Sequence, residues 1–465
     1  NSISTFTYDN RGNLLSSVDP QGKRVIFNYD PRFDQLQTVR DQEGNTIQYS
    51  YNNKGNLRGI TYADNSSETF DYNDKGELSI SINRRDQEIK YTYDNQGFLI
   101  KKEFADGTIA TFDYDNRGNL IKATDSDSSV TYDYDNSNRL EKVTYSNNRS
   151  LKFTYDAGGR RSKLEDQDGF VTNYIYDEAG RLKQLTDKNQ SNITTYNYNK
   201  LGHLSQENNG NGTYTVYSYD AASQLTSILN YKADNTVNSK FEYSYDTLGR
   251  RTSVTTAEGK TTYGYDASGQ LILVRLPNER VIEYSYDAAG NRISVADSGT
   301  TTAYQTNNLN QYENVGGATY KYDFDGNLIS KTQSGKTTTF IYDVENRLIR
   351  AVTPDGIWNY EYDAFGNRIA SIKDGLRTEY LLDPIGLVNV IGEYNNGQLA
   401  ANYTHGLGLA SRYDVNNTAS YYDSDVIGSI IGLTGTTGSY LNRYSYLPFG
   451  EDLTKTETVA NPFEY

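Results

Sequence analysis

The two histidines, His203 and His405, are the only imidazoles in the chain, and about 200 residues separate them. With the two so far apart, a His-based catalytic or metal site is not expected. His203 follows a turn glycine, Gly202, at a position that varies from copy to copy, so it reads as structural. Cysteine is absent, which excludes disulfides and thiolate metal sites. Carboxylates are plentiful. Asp423 and Asp425 are the pair most suggestive of acid–base work. They alternate around Ser424 in a stretch that reads as strand or turn, and nothing in the sequence aims a second element at them. Calcium would take six to eight oxygen ligands, but each Asp stands where a turn needs one, so turn capping is the expectation. Trp358, the sole tryptophan, precedes Tyr360 by two residues and shares its face in a regular strand. Packing is its expected role, with sugar stacking as the lesser alternative. Asn65-Ser66-Ser67 completes a glycosylation sequon of the kind that arises by chance in a chain rich in Asn and Ser. A glycosidase would need two carboxylates at a defined separation, and no pair stands out. No catalytic, cofactor-binding or metal-ligating residue is therefore assigned, no cofactor is expected, and the chain reads as non-enzymatic.

The aspartates belong to a larger pattern, aromatic-x-Tyr-Asp-x-x-Gly-x-Leu, seen in Tyr91–Leu99. Two rings two residues apart share one face of a strand. Asp followed three residues later by Gly fits a type I turn whose glycine takes positive φ and closes a short hairpin loop. Asn138 and Asn346 replace the glycine with the next most tolerant residue; Ser223 and Phe33 fit less well. The marking tyrosines run from Tyr8 to Tyr219 at intervals of 20 to 22 residues. Tyr245 follows after 26, with a longer turn expected near Tyr231–Asn235. The stretch Thr306–Tyr312 reads as a degenerate repeat followed by a short one. A second turn signal, such as Ala105-Asp106-Gly107 or Pro354-Asp355-Gly356, lies between motifs. Each repeat therefore holds two strands of about 5–8 residues. The chain is expected to be all-β, a long antiparallel sheet of repeated hairpins. Successive tyrosines are expected to stack in a column, with stability spread along the array.

By length alone, 465 residues would suggest about three domains, but fixed-period repetition overrides that count. Low mean hydropathy superficially reads as disorder. The 44 tyrosines argue otherwise, since each buries a ring and keeps a polar tip. A net charge of −15 argues against nucleic acid as a partner. No apolar run is long enough to span a membrane. Lack of cysteine suits an exported bacterial protein. The chain opens inside a repeat and reads as a piece of a longer protein. Residues 1–375 are expected to form the regular array, and 376–465 a specialised terminal segment continuous with the same sheet. Four of the seven prolines lie beyond residue 350.

Tyr176-Asp177-Glu178-Ala179-Gly180-Arg181-Leu182 resembles the YD repeat of bacterial Rhs proteins, the C components of insecticidal Tc toxins and animal teneurins. Asp425-Val426-Ile427-Gly428-Ser429 is similar to the Asp-x-x-Gly-Ser element that opens the Rhs-associated core. Tyr446-Leu447-Pro448-Phe449-Gly450-Glu451 is similar to its Tyr-Asp-Pro-Phe-Gly-Glu element, with Leu447 in place of the usual Asp. The resemblance covers essentially the whole chain. It implies a sheet that spirals into a curved or hollow shell, which in Rhs and Tc proteins encloses a toxic C-terminal domain. The family's core ends in an aspartyl autoprotease; its carboxylates would lie beyond Tyr465, so no catalytic residue is carried over. About nineteen repeat units leave closure of a shell open. The expected function is a structural shell segment of an Rhs-type polymorphic toxin, secreted or at a bacterial cell surface. Its partner would be the encapsulated C-terminal toxin domain of the same full-length protein. The alternative is a cell-surface adhesion or carbohydrate-binding protein whose exposed tyrosines meet glycans.

Overall fold

The structure, a computed structural model, describes residues 3–464. Among them are 44 strands, from Thr5–Tyr8 to Asp452–Thr456, and no helix. The chain is all-β, and consecutive strands pair antiparallel as successive hairpins. The motif dictates each corner. In the hairpin that follows Tyr93, Asp94 Oδ1 accepts hydrogen bonds from the amides of Gln96 (2.8 Å) and Phe98 (2.9 Å). The Asp94 amide donates to the Phe98 carbonyl and the Gly97 amide to the Asp94 carbonyl. One carboxylate thus satisfies two turn amides that would otherwise face water alone. Gly97 has φ +90°, a conformation that costs an L side chain about 1–2 kcal/mol. Leu99 pairs with Tyr93 across a register shift, the bulge that starts the return strand.

Asn138 (φ 64°), Asn346 (φ 62°) and also Ser223 (φ 66°) occupy the left-handed position. The turn near Phe33 differs from expectation. It is one residue longer, with the Asp34 amide donating to the Asp30 carbonyl, and Asp34 (φ 60°) takes the left-handed position. The longer turn expected near Tyr231–Asn235 is also corrected. Lys232–Asn235 is an ordinary turn closed by Asn235 on Lys232. The extra residues lengthen strands instead, to seven in Leu225–Tyr231 and nine in Val237–Tyr245. Thr306–Tyr312 forms the expected degenerate corner, with Asn310 at φ 60°, and a short strand, Tyr312–Val315, follows.

The chain divides into two compact units, each combining an early and a late stretch. The first unit comprises 1–128, 262–366 and 372–375. Here the connecting turns of the early stretch meet the Tyr-Asp corners of the late one. Gln21 Nε2 reaches Asp266 (2.7 Å), Ser268 Oγ reaches Asp19 (2.8 Å), and the Ala288 amide reaches Glu43 (2.7 Å). The second unit comprises 129–261, 367–371 and 376–465. Its late strands lie over its early ones and share their core. Val130, Val143, Leu151, Phe153 and Leu164 pack with Leu381, Ile391 and Tyr394. Leu185, Ile193 and Tyr196 pack with Ala410 and Tyr421. Glycines permit the approach: a Cβ at Gly406 would overlap the Tyr196 hydroxyl, and one at Gly210 the Tyr421 hydroxyl. The Ile430–Thr434 strand is buried at every position, as a strand covered on both faces must be.

Candidate functional site

The recurring structural device is a tyrosine clasp. The bulge after each corner leaves the carbonyl of the return-strand Leu, or its equivalent, outside the ladder. In most repeats the Tyr of the following repeat donates its hydroxyl to that carbonyl. Tyr155 reaches Leu140 (2.7 Å), Tyr176 reaches Arg161 (2.9 Å), Tyr219 reaches Leu204 (2.8 Å) and Tyr286 reaches Leu271 (2.7 Å). The degenerate repeat and the last strands keep the device, with Tyr322 on Tyr312 (2.9 Å) and Tyr446 on Ile430 (2.8 Å). Burial pushes these phenols up from their ordinary pKa, as at Tyr155 and Tyr176.

The expected tyrosine column takes a different form. Successive repeats are two strands apart, so their rings stand roughly 9–10 Å from one another, too far to touch. The side chain after each turn glycine, or after its Asn substitute, fills the gap. Arg139, Arg160 and Arg181 lie 4.6, 4.5 and 4.3 Å from the ring centres of Tyr155, Tyr176 and Tyr198. Phe98 stacks on Tyr114 (4.9 Å), and the His203 ring meets Tyr219 at a tilt of 40°, 4.8 Å between centres. Each of those arginines also pairs with the Asp of its own corner, at 2.7 Å for Arg139–Asp135 and 2.6 Å for Arg160–Asp156. The backbone hydrogen bond from the residue four on, then its guanidinium, hold Asp135 and Asp177 below the usual carboxylate value. That stabilisation is present above the unfolded pKa and is lost as pH falls through the folded one. Tyr155→Phe keeps the ring and removes one clasp. We expect a loss of about 1 kcal/mol in local opening free energy, read by hydrogen exchange of the Leu140–Tyr145 and Ser150–Tyr155 amides.

Charged staples reinforce the contacts within each unit. In the first, Arg85 reaches Asp325 (2.5 Å), the Asp343 carbonyl (2.6 Å) and Asn346 (2.8 Å), while Lys102 pairs with Glu345 (2.8 Å). In the second, Arg149 pairs with Glu379 (2.6 Å), and Arg161 grips Asp383 with two bonds of 2.5 and 3.1 Å. Tyr145 adds a bond to the Leu382 carbonyl (2.5 Å).

The chemistry-bearing candidates do not converge. His203 fills the gap beside Tyr219 as described above. His405 Nε2 lies 2.9 Å from the Val390 carbonyl, and burial lowers its pKa. Asp425 caps a corner through the amides of Ile427 and Ser429. Asp423, four per cent exposed, does have a second element aimed at it, contrary to the reading from sequence: the Tyr440 hydroxyl donates to its Oδ2 at 2.7 Å. Sequence reasoning missed that partner, and it missed Glu207, whose carboxyl feels the Asp423 charge. Trp358 shares a face with Tyr360, their rings 6.4 Å apart and 8° from parallel, and Lys373 lies over its ring at 5.0 Å. Asn65 takes the left-handed corner between two strands (φ 67°). Among the described residues no group of three or more His, Cys, Asp or Glu could hold a metal ion, and no helix is long and apolar enough to cross a membrane.

Comparison with known proteins places this arrangement. The chain has the fold of a TcdB2-TccC3-TEV crystal structure, with a TM-score of 0.75 and 15% identity over 100% of this chain and 31% of that one. A Photorhabdus luminescens Tc holotoxin pore carrying a TccC3 mutation gives 0.67 and 14% over the same shares. WapA of Bacillus spizizenii, a tRNA3(Ser)-specific nuclease, is 33% identical over 125 residues, or 26% of this chain and 5% of WapA. The chain thus spans about a third of the Tc structure's chain and a small part of WapA. The Teneurin YD-shell profile matches residues 3–153, 141–261 and 229–465. With the Tyr-Asp corner and its clasp repeated along nearly its full length, the chain belongs to the teneurin YD-shell family.

Proposed function

We propose that the chain is a wall segment of an Rhs-type polymorphic toxin and that it encloses a toxic C-terminal domain of the same full-length protein. Its role is structural, not catalytic. Residues 1–375 supply the regular array, and 376–465 begin the core-like segment. The protein acts outside the cell or at the surface of a bacterium. The observation that carries the reading is the fold likeness to the TcdB2–TccC3 structure over the whole chain. The clasps add physical support. In most repeats tyrosine satisfies a backbone carbonyl at the bulge and ties one repeat to the next. A YD stretch shared with a tRNA nuclease fits a wall joined to a separate toxic domain. The test is protease protection of the full-length protein. The region after residue 465 should resist digestion while the wall is folded and become sensitive in denaturant. Digestion at the rate of the same region expressed alone would refute the proposal.

A further inference from the structure

The second unit contains a buried polar chain that crosses from its early strands to its late ones. Thr215 Oγ1 donates to Asn230 Oδ1 (2.7 Å), and Asn230 Nδ2 donates to Ser239 Oγ (2.7 Å). Ser239 Oγ bonds the Tyr440 hydroxyl at 2.9 Å, and Tyr440 donates to Asp423 Oδ2 at 2.7 Å. The first three residues lie on the early strands Tyr214–Tyr219, Leu225–Tyr231 and Val237–Tyr245. Tyr440 and Asp423 lie on the late strands Tyr440–Tyr446 and Ala419–Ser424. Thr215, Asn230, Ser239 and Asp423 are all buried. Each link uses its donor, so the chain has one direction and ends on a carboxyl.

Glu207, half-buried on the early strand Leu204–Asn209, is a second carboxyl, and it feels the Asp423 charge. The Tyr217 hydroxyl donates to its Oε2 at 3.3 Å. Burial, the Asp423 charge and the Tyr217 bond act on Glu207; burial and the Tyr440 bond act on Asp423. Tyr196 and Tyr198 of the neighbouring early strand also face Glu207, and Tyr217 faces both carboxyls. Arg443 faces Tyr440 and makes its own ion pair with Glu258 at 2.8 Å. Phenols, not cations, line the pair. Burial therefore holds Glu207 at about 7, with Asp423 adding to the effect, and Asp423 at about 6.

We propose that Glu207 and Asp423 form a proton-controlled latch between the early and late strands of the second unit, closed when the pair carries a proton and loosened when both are ionised. A carboxyl held above its unfolded value binds its proton more tightly in the folded state. Its contribution is full at low pH and is lost as pH rises from the ordinary values of 3.8 and 4.5 through about 6 and about 7. The turn aspartates act in the opposite sense and below 3.8, outside this window. His405, whose pKa lies below 6.5, and Asp166 and Asp425, raised by burial, also belong to this unit. They titrate alike with or without the latch, so a variant comparison isolates it.

The experiment is hydrogen exchange of the protein at pH 5.5 and pH 7.5, corrected for intrinsic exchange and read on peptides spanning 204–219 and 419–424. Wild type should lose protection by about tenfold or more at the higher pH, one pKa shift unit being a factor of ten. Glu207→Gln with Asp423→Asn keeps the hydrogen bonds and removes the charges. It should lose most of the pH response, leaving only the part that His405, Asp166 and Asp425 contribute. Should that pair of changes prevent folding, Glu207→Gln alone should remove at least half of the response. An unchanged pH response in the folded variant, or wild-type protection that rises with pH, would overturn the latch.

Discussion

Arg161→Ala should cost the second unit about 3–5 kcal/mol, the range for leaving one member of a buried ion pair alone. Asp383 is two per cent exposed, and both its oxygens face the Arg161 guanidinium, at 2.5 and 3.1 Å. The Ile385 amide, 3.0 Å from Asp383 Oδ1, would still donate, too little to hold a buried charge. The guanidinium also lies 5.1 Å from the Phe153 ring centre and 5.6 Å from that of Tyr174, so packing is lost with the charge. Urea unfolding followed by exchange on peptides from 376–424 reads the loss. Replacing both partners with apolar residues, Arg161→Met with Asp383→Leu, should recover most of it, because the penalty comes from the orphaned charge. A single-variant loss under about 1 kcal/mol would mean that water reaches Asp383 and that the pair is no staple.

Leu185→Ala is the second large effect, at about 2–5 kcal/mol. Leu185 has no exposed surface and packs with Ile193, Tyr196, Ala410 and Tyr421, so it fills the space between early and late strands. Its Cδ1 also adjoins the position a Cβ would take at Gly406. The strands are pinned on both sides by hydrogen bonds, so the cavity can collapse only in part. Leu271→Ala in the first unit is the comparison. Leu271 is half-buried, and its truncation should cost clearly less, measured by the same denaturation. Equal losses would contradict the two-layered packing of the second unit.

Local chemistry made the hairpins legible. Asp94 and Gly97 specify a corner by themselves, and Asn138 shows that the backbone demand is for positive φ. Local rules failed where an insertion could be absorbed in more than one way. Asp34 takes the left-handed position in a lengthened turn, whereas the extra residues after Tyr219 extend two strands and leave Lys232–Asn235 unchanged. The clasp was half visible. Its tyrosines were obvious, but their carbonyl partners lie in the preceding repeat, and the bulge that frees those carbonyls is a product of hydrogen-bond register. Contacts such as Arg85–Asp325, or Asp423–Tyr440–Ser239, were not readable. They join residues about 200 or more apart, or depend on which strand face meets which, and the period of the motif carries no such information. One signal was available: Ile430-Ile431-Gly432-Leu433 lacks the polar alternation of a one-sided strand, which marks it as covered on both faces.

The most direct measurement of the wall proposal is a cryo-electron microscopy map of the full-length protein, including the region that follows residue 465. We expect this chain to form a continuous curved wall, with density for the downstream domain on its enclosed side. A flat or extended array, or a downstream domain standing free outside the wall, would contradict it.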